Sequence, residues 1–564
     1  MIKYLIKNYY KNIIFIIIFS ATSAYLSLLL PDILKDIIIS LGELNKSVLY
    51  NLGLKLIIIS IFIFIISNIS NYFSNKLGAK IGNDLRTKLY SATLNLDLDN
   101  VNNFGVSSLI VRNTSDINQI ETMISILSKT LIYTLILGIG GSYKIIISSY
   151  NLPILTLIVI FCILLTCIFL YIVFVTVIPK YNLLQTNLDK INERFQEILN
   201  GLLVIKAENQ EHFEYKKSEK YNNTYVNLEY FLNKVMSMLS PFVTLILNLS
   251  TISIVFIMFK FAFDLNEIAN MIAYSEYATR VISSFLSLSL CFIMLPKAKI
   301  SFTRIMEVIN SYNNIYDNNN AKEIIDVEKL RIKNVSFNYP NSNELSLKNI
   351  NLTIEKGETI AVIGSTGAGK TTLVNLLNRF YDVSNGEILI NDIDIRNIKL
   401  VNIRNLIATV FQNEFIMRGE LTEILCNKDK RKIEEILSTV SYQDLDITKK
   451  ISFNADNFSG GQKQRLCIAR ALLKNPQILI LDDAFSAIDY TTEKIILNNI
   501  KKEFKDTIKI IITSRTSSIK YADKILVLDN GKIVGFDNHK ELLKNCLIYK
   551  KIYNLANNPE DNHE

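Results

Sequence analysis

The sequence has few of the residues that build metal sites or disulfide frameworks. Its 564 residues include six cysteines and three histidines, and no two cysteines form a C-x-x-C pair. No histidine lies at metal-site spacing from a cysteine, so reduced, structural cysteines are expected. A basic stripe interleaved with aromatic residues is also missing, although the net charge is +8. We therefore expect no nucleic-acid partner, because such a partner requires concentrated positive charge on one surface.

Apolar residues are in excess, at 49% of the chain. They are concentrated in the first 300 residues, whereas the remainder alternates short apolar strands, glycine turns and helices, as in an α/β domain. We predict a membrane α-helical domain at 1–310, a linker at 311–324 and an α/β domain at 325–564. Residues 310–321 are polar and lack apolar periodicity, which favours a solvated hinge there.

Six apolar runs approach or exceed the roughly 20 residues needed to cross a membrane. They lie at 12–30, 52–70, 124–148, 152–178, 241–263 and 268–295. Residues 1–11 contain three lysines, which would also suit a signal peptide. Because the first apolar run continues to Leu30 and five more follow, we instead predict a basic interfacial helix and a first span in contact with lipid.

The distribution of basic residues predicts the orientation of these spans. The long segments between spans two and three and between spans four and five are rich in lysine and arginine. The short connections at 149–151 and 264–267 contain neither residue. Since basic loops stay in the cytoplasm, we expect both termini and the α/β domain there, in the plasma membrane of a bacterium.

Glu276 and Arg280 are ionisable residues inside the sixth run. Four positions apart, they share one face of a helix, and two interpretations remain open. One is an intrahelical pair that neutralises itself. The other is that both residues line a translocation cavity, since charges inside a membrane usually face a cavity or a partner.

A complete phosphate-binding loop follows the apolar run 360–363. It matches G-x-x-x-x-G-K-[ST], and the apolar helical pattern that begins at Thr372 completes a strand–loop–helix context. Glycines allow backbone N–H groups to face phosphates, and the helix N-terminus adds positive potential. The lysine reaches the β- and γ-phosphates, and the Thr371 hydroxyl can bind Mg²⁺. The loop consists of Gly364, Ser365, Thr366, Gly367, Ala368, Gly369, Lys370 and Thr371.

The segments that follow this loop resemble the ATP-binding cassette (ABC) transporters. In order they are Val410–Asn413, Phe458–Gln462, Ile478–Asp483 and Ser486–Asp489. The sequence is most similar to an exporter-type half-transporter, in which one six-span domain precedes one cassette. In the membrane half, residues 108–116 and 192–207 also resemble this family. The resemblance implies that residues near 98–104 and 208–214 contact the cassettes.

The resemblance also implies roles for residues around the nucleotide. Tyr339 matches the aromatic residue that stacks on adenine. Gln412 matches the glutamine that senses Mg²⁺ and the γ-phosphate, and Asp482 ends an apolar strand where a carboxylate can hold the metal. ATP and Mg²⁺ are thus the expected cofactors, with Thr371, Gln412 and Asp482 as Mg²⁺ ligands. Asp489 occupies the family's D-loop position.

The most specific element is the signature segment, which other phosphate-loop proteins lack. It offers a hydroxyl, backbone N–H groups and a helix N-terminus to a γ-phosphate. In this family that phosphate belongs to the ATP of an opposite cassette, so the chain is expected to dimerise. The segment comprises Ser459, Gly460, Gly461 and Gln462.

Two positions depart from the family pattern on the hydrolytic side of the chain's own nucleotide. Asp483 replaces the glutamate that polarises the attacking water, and Ser514 replaces the histidine that contacts the γ-phosphate. The three histidines, at 212, 539 and 563, lie too far away in the sequence to substitute. A carboxylate retracted by ~1 Å can cost about 100-fold in rate. We therefore predict a degenerate site that binds ATP and hydrolyses it poorly.

This asymmetry resembles heterodimeric exporters, in which a different second half-transporter carries the missing residues. The leading interpretation is one subunit of an exporter of drugs, lipids or peptides. Alternatives are a siderophore-type importer subunit, an ATP-gated regulatory half and a slow homodimer. No cysteine-peptidase domain precedes the spans in this sequence, so an exporter that processes peptides is not expected.

Overall fold

In the computed structural model, the described residues are 2–148, 153–261, 265–318, 320–340, 342–413, 415–425, 429–443, 445–446, 450–513 and 515–557. The chain forms two compact units. The first combines Met1–Leu96 with Val101–Ser311, and the second combines Asp97–Asn100 with Tyr312–Glu564.

The first unit is entirely helical where it is described, as expected for apolar segments that must satisfy their backbone hydrogen bonds internally. A π-helical turn, Arg112–Asp116, links α4 to α5. The helices are α1 Ile2–Gly42, α2 Lys46–Asn95, α3 Leu98–Phe104, α4 Val106–Val111, α5 Ile117–Ser148, α6 Pro153–Asn200, α7 Leu202–Ala207, α8 Glu211–Ser237, α9 Leu239–Phe261 and α10 Leu265–Ile309.

The predicted spans can be compared with these helices. Among the described residues, five helical stretches are long and apolar enough to cross a membrane: Tyr9–Gly42, Lys46–Asn95, Val106–Ile147, Thr156–Asn200 and Glu211–Ile257. The predicted sixth span, 268–295, lies within α10, which is not among these five, and it stays a prediction. Both short connections, 149–151 and 264–267, lie wholly or partly outside the described residues.

Helix α1 has a kink near its start. Non-helical backbone angles at Tyr9 (φ −132°, ψ 18°) kink the helix there. The first apolar stretch is counted from this residue, so Lys3 and Lys7 lie before the kink and Lys11 lies after it. The interfacial position of residues 1–11 stays a prediction.

The second unit is an α/β domain with two principal sheets. One is antiparallel, in the order β2-β1-β4-β5, and the other has the order β12-β11-β3-β10-β9-β6. A short third sheet pairs β7 with β8. The strands are β1 Lys329–Phe337, β2 Leu347–Glu355, β3 Thr359–Gly364, β4 Asn385–Ile390, β5 Ile393–Asp394, β6 Ile407–Val410, β7 Gly419–Glu420, β8 Lys450–Ile451, β9 Ile478–Asp482, β10 Ile508–Ile512, β11 Lys524–Asp529 and β12 Lys532–Asp537.

Helices complete this unit around strands that are buried on both faces. Strands β9 and β10 are buried at every residue, as is typical of parallel strands covered on both sides. The α-helices are α11 Lys370–Leu377, α12 Leu400–Leu406, α13 Leu421–Ile424, α14 Lys430–Thr439, α15 Gly460–Leu473, α16 Tyr490–Glu503, α17 Thr516–Ile519, α18 His539–Asn545 and α19 Leu547–Asn557.

The strand register determines where a ligand can bind. Strands β11, β3, β10, β9 and β6 run parallel, and Ile512 pairs with both Val362 and Asp482. The carboxyl ends of β3, β9 and β10 therefore meet at one edge of the sheet. Ligands of open α/β sheets bind in the crevice at this edge.

The described residues of the polar linker at 310–321 are exposed or partly exposed, as its composition predicts, but they are also bonded to distant parts of the chain. Asp97 accepts a hydrogen bond from the backbone N–H of Asn314 at 2.7 Å, and Asp317 accepts one from the N–H of Leu400 at 2.7 Å. The backbone oxygen of Tyr316 accepts a hydrogen bond from the buried Arg379. The linker thus bonds to other residues of the second unit, through its backbone at Asn314 and Tyr316 and through the side chain of Asp317.

Candidate functional site: a phosphate-binding crevice

The phosphate loop connects β3 to α11, as its sequence context predicts. Gly369 precedes the helix with φ +98°, and Gly367 has φ +80°, a region that favours glycine. A Cβ atom on Gly364 would lie 2.3 Å from the backbone oxygen of Leu528. The glycine positions in the motif are therefore needed for both the turn and the close packing of the loop.

The Lys370 side chain folds back over this loop. Its ammonium group donates hydrogen bonds to the backbone oxygens of Gly364 at 2.7 Å and Ser365 at 2.9 Å. Burial lowers the pKa of Lys370, and the charges of Asp482 and Asp483 oppose that shift. The positive charge is thus held where β- and γ-phosphates are expected.

A cavity of about 610 Å³ opens above the loop and brings most of the predicted nucleotide residues together. Gln412 reaches it from beyond β6, and both aspartates reach it from the end of β9. Ser365 is not among the lining residues, and its hydroxyl donates a hydrogen bond to Asp529 at 3.4 Å. The predicted residues that line the cavity are Gly364, Thr366, Gly367, Ala368, Gly369, Lys370, Thr371, Thr372, Gln412, Asp482 and Asp483.

The two aspartates occupy different environments. Asp482 is the last residue of β9 and only 4% exposed; burial, and then the charge of Asp483, raise its pKa to about 6. Asp483 has φ +50°, and its backbone N–H donates to the oxygen of Ile512 at 3.0 Å. Burial raises the pKa of Asp483 as well, opposed by Arg515 and Lys370. A bound cation would stabilise both carboxylates in their ionised forms.

The residues around the cavity fit a nucleoside triphosphate with Mg²⁺. A loop of backbone N–H groups, a lysine and a helix N-terminus suit phosphates. Mg²⁺ binds hydroxyl, amide and carboxylate oxygens, and Thr371, Gln412 and Asp482 present these groups to the cavity. When bound, Mg²⁺ would neutralise charge on the phosphates.

Tyr339 lies beside the crevice but is not among the residues that line it. Its hydroxyl is 3.2 Å from the Thr372 hydroxyl and accepts a hydrogen bond from Asn375 at 3.4 Å. Its ring contacts the Phe337 and Tyr381 rings edge-on. These contacts fix the ring next to the helix that follows the phosphate loop, and stacking on adenine stays a prediction.

The signature segment forms the start of α15. The Ser459 hydroxyl accepts a hydrogen bond from the Gln462 N–H, and the Gln462 side chain accepts one from the Ser459 N–H at 2.9 Å. This reciprocal capping box orders the helix N-terminus. A Cβ atom on Gly461 would lie 2.8 Å from the Ala487 oxygen. The signature segment therefore packs closely on residues Ser486–Asp489, the segment called the D-loop below. No residue of the signature lines the cavity described above.

Four further predicted residues have distinct outcomes. Asp489 caps α16, and hydrogen bonds from Thr491 and Thr492 lower its pKa to about 2. Ser514 lies outside the described residues. Glu276 and Arg280 form an ion pair at 3.7 Å within α10, and their role in a cavity stays a prediction.

Sequence reasoning missed several residues at this site. These residues carry no motif and line the cavity from the start of β2 and from the turn between β11 and β12: Ser346, Lys348, Asn530 and Gly531. The Lys348 N–H donates to the Gly531 oxygen at 2.7 Å, which joins the two sheets beside the phosphate loop. The one sequence signal among them is the glycine of the Asn530–Gly531 turn, because glycine favours turns with positive φ. In the structure, Gly531 has φ +77°.

Comparisons with known proteins agree with this architecture. The family profile described as "ABC transporter transmembrane region" matches residues 13–285, and the one described as "ABC transporter" matches residues 347–486. The multidrug resistance-like ATP-binding protein MdlB of Buchnera aphidicola is 30% identical, over 96% of this chain and 94% of its own. An ABC transporter ATP-binding protein of Mycobacterium tuberculosis is 27% identical, over 85% and 84%.

A solved structure shows the same fold. The structure of a bacterial Atm1-family ABC exporter with ATP bound has a TM-score of 0.83 against this chain. It is 20% identical, and the match covers 97% of this chain and 98% of that one. The fold is therefore a membrane-spanning helical domain fused to an ABC ATPase domain. The protein lies in the bacterial plasma membrane, with its ATPase domain in the cytoplasm. The chain belongs to the ABC transporter family, with its transmembrane and ATP-binding domains fused in one polypeptide.

Proposed function

We propose that this chain is the ATP-binding and permease subunit of an exporter that pairs with a different half-transporter. Its own phosphate loop binds MgATP at a site of low hydrolytic activity. Its signature segment completes the hydrolytic site on the partner chain. The similarity of this chain to MdlB and to the Atm1-family exporter structure supports export. A drug, lipid or peptide is the expected class of substrate.

The observation that carries this proposal is the aspartate at position 483. Its side chain lines the cavity directly after Asp482, where a glutamate would reach one methylene further. The left-handed backbone at Asp483 is fixed by its hydrogen bond to Ile512, so the main chain has little freedom to compensate. A carboxylate displaced by ~1 Å can slow proton removal from water about 100-fold.

The arrangement of the signature supports the second part of the proposal. Ser459 and Gly460 are exposed and lie at an ordered helix N-terminus, yet no signature residue lines the chain's own cavity. An exposed helix N-terminus attracts anions, and the γ-phosphate of a second cassette is such an anion. Binding of ATP between two cassettes then draws the subunits together, which couples nucleotide binding to movement of the membrane domains.

The test is co-purification with a half-transporter that carries glutamate and histidine at the two departing positions. Native mass spectrometry should show one copy of each chain, and ATP-dependent flux into inside-out proteoliposomes should need both. The chain purified alone should bind ATP but turn it over slowly. Vigorous, cooperative ATP hydrolysis by the chain alone would contradict the proposal. Normal hydrolysis by the pair with no flux of any substrate tested would favour the regulatory alternative.

A further inference from the structure

The Arg515 guanidinium connects the end of β10 to the D-loop. Arg515 follows the strand by three residues, and its backbone N–H donates to the Thr513 hydroxyl at 3.0 Å. Its side chain extends to Ser486–Asp489 and donates to two backbone oxygens there, those of Ile488 at 2.7 Å and Ser486. Arginine can make both bonds at once because its donors form a rigid planar fork.

A buried carboxylate also holds this guanidinium, at the Nη1 atom that donates to Ile488. Glu493 in α16 has a side chain with 0% exposure, and its Oε2 atom lies 3.1 Å from Arg515 Nη1. Its Oε1 atom accepts a hydrogen bond from the Ser518 hydroxyl. A buried carboxylate needs such partners, because an unpaired charge in the interior is strongly unfavourable. The position of Arg515 is therefore set by groups on two helices.

The signature helix holds the D-loop from the opposite side. Gln464 of α15 donates to the Ser486 hydroxyl at 2.7 Å and accepts from the Ala487 N–H at 2.8 Å. Gly460 and Gly461 pack directly against Ala487. One short segment thus bonds to Arg515 on one side and to the signature helix on the other.

From this geometry we infer that Arg515 is a positioning residue for hydrolysis at the composite site. It fixes the D-loop backbone, and through Gln464 the D-loop fixes the start of the signature helix. Loss of the Arg515 bonds would therefore shift the signature that faces the partner's γ-phosphate. This inference rests on the proposed function, in which that signature serves a second cassette.

The test uses the purified full-length transporter assembly and three variants. Arg515→Gln removes the charge and the fork, and Arg515→Lys keeps the charge alone. Arg331→Gln is the control, because it removes an arginine that is paired with Asp392 at 3.0 Å on the other sheet. The readouts are kcat and KM for ATP, together with hydrogen–deuterium exchange at the Ala487 amide and in β10.

Both Arg515 variants should lower kcat by about tenfold or more, since a displacement near 1 Å is enough for that loss, while KM stays within about twofold. Exchange at Ala487 should accelerate and exchange in β10 should not. Wild-type kcat in Arg515→Lys would overturn the inference, because charge alone would then suffice. Unchanged exchange at Ala487 in Arg515→Gln would also overturn it.

The proposed function can fail while this inference holds, and the two failures are distinguishable. If the working assembly is a homodimer of this chain, the predicted loss of kcat and the faster exchange at Ala487 should both persist. If no assembly hydrolyses ATP, the exchange measurement alone supports or overturns the inference.

Discussion

At the scale of single residues, the Lys370 ammonium combines two functions in one position. It closes the phosphate loop by donating to the Gly364 and Ser365 oxygens, and it supplies the positive charge in the cavity. The same group is partly desolvated, which lowers its pKa. An anionic ligand would relieve that unfavourable burial, so the site is electrostatically prepared for phosphate.

Replacing this lysine tests that description. Lys370→Met should weaken MgATP binding by about 10- to 100-fold, the range expected for losing a charge-assisted hydrogen bond worth ~1.5–3 kcal/mol. Equilibrium binding of a fluorescent ATP analogue to the full-length chain measures the change. Lys333→Met, which removes the exposed lysine paired with Glu387, should bind normally. Equal affinity in the two variants would contradict the assignment.

Much of this site could be predicted from the sequence, for a physical reason. Phosphate binding by backbone N–H groups requires glycines at fixed spacing, so Gly367 and Gly369 are visible as a motif. Lys348 and Asn530 belong to no recognisable motif. They reach the cavity only because β11 pairs with β3 and β2 contacts the turn at Gly531. Arg515 was missed because two of its partners are backbone oxygens, which carry no sequence signal, and the third, Glu493, is 22 residues away in the sequence.

At the scale of elements, the linker illustrates a limit of composition. Asparagine and aspartate favour loops in any context. Whether such a loop is free depends on partners distant in sequence, and here Asp97, Arg379 and Leu400 supply them. No local pattern in residues 310–321 predicts those contacts.

Arg379 is the residue on which the linker contacts most depend. It is 2% exposed and donates to the backbone oxygens of Tyr316, Ile395 and Ile398, and it also pairs with Asp382 at 3.0 Å. Arg379→Met should lower the free energy of unfolding by about 3 kcal/mol or more, as for a broken buried ion pair. Calorimetry of the full-length chain measures this.

The control for that experiment is a partly exposed arginine. Arg331→Met should cost less than about 1 kcal/mol, because surface ion pairs contribute little. Similar costs for both variants would show that burial at Arg379 is not the source of its contribution.

A second prediction at this scale concerns pH. Lys509 in β10 is 3% exposed, and burial lowers its pKa to about 8, against the opposing charge of Asp523. The pKa of an unfolded lysine is about 10.4. Between these values the unfolded chain holds more protons, so stability should rise as pH increases from about 8 to 10.

Calorimetry at pH values through this window tests the assignment. Lys509→Met should remove this part of the slope and raise stability near pH 8, because no charge is then desolvated. An identical slope in wild type and variant would show that Lys509 is not responsible.

At the scale of the whole molecule, the proposal that the ion pair in α10 lines a translocation cavity can be tested. Glu276 and Arg280 lie 3.7 Å apart, so together they carry no net charge. Glu276→Gln with Arg280→Gln should alter which of a panel of lipophilic cations, peptides and lipids stimulates ATP hydrolysis, if the residues line the path. The two substitutions are made together because either one alone leaves an unpaired charge. An unchanged profile would leave the pair with a structural role only.

The central claim is that the two functional surfaces of this chain serve different ATP molecules. In the proposed assembly, the cavity with Asp483 holds the chain's own nucleotide, and the helix N-terminus at Ser459 faces the partner's. Hydrolysis by the assembly should therefore depend on the signature and not on the local carboxylate.

The most direct measurement compares two single substitutions in the purified assembly. Asp483→Asn should leave at least about half of the steady-state ATP turnover, since that site contributes little to it. Ser459→Ala should reduce turnover about tenfold or more, because it removes a γ-phosphate donor and a helix cap. A loss of about 100-fold in Asp483→Asn, with near-normal turnover in Ser459→Ala, would contradict the account.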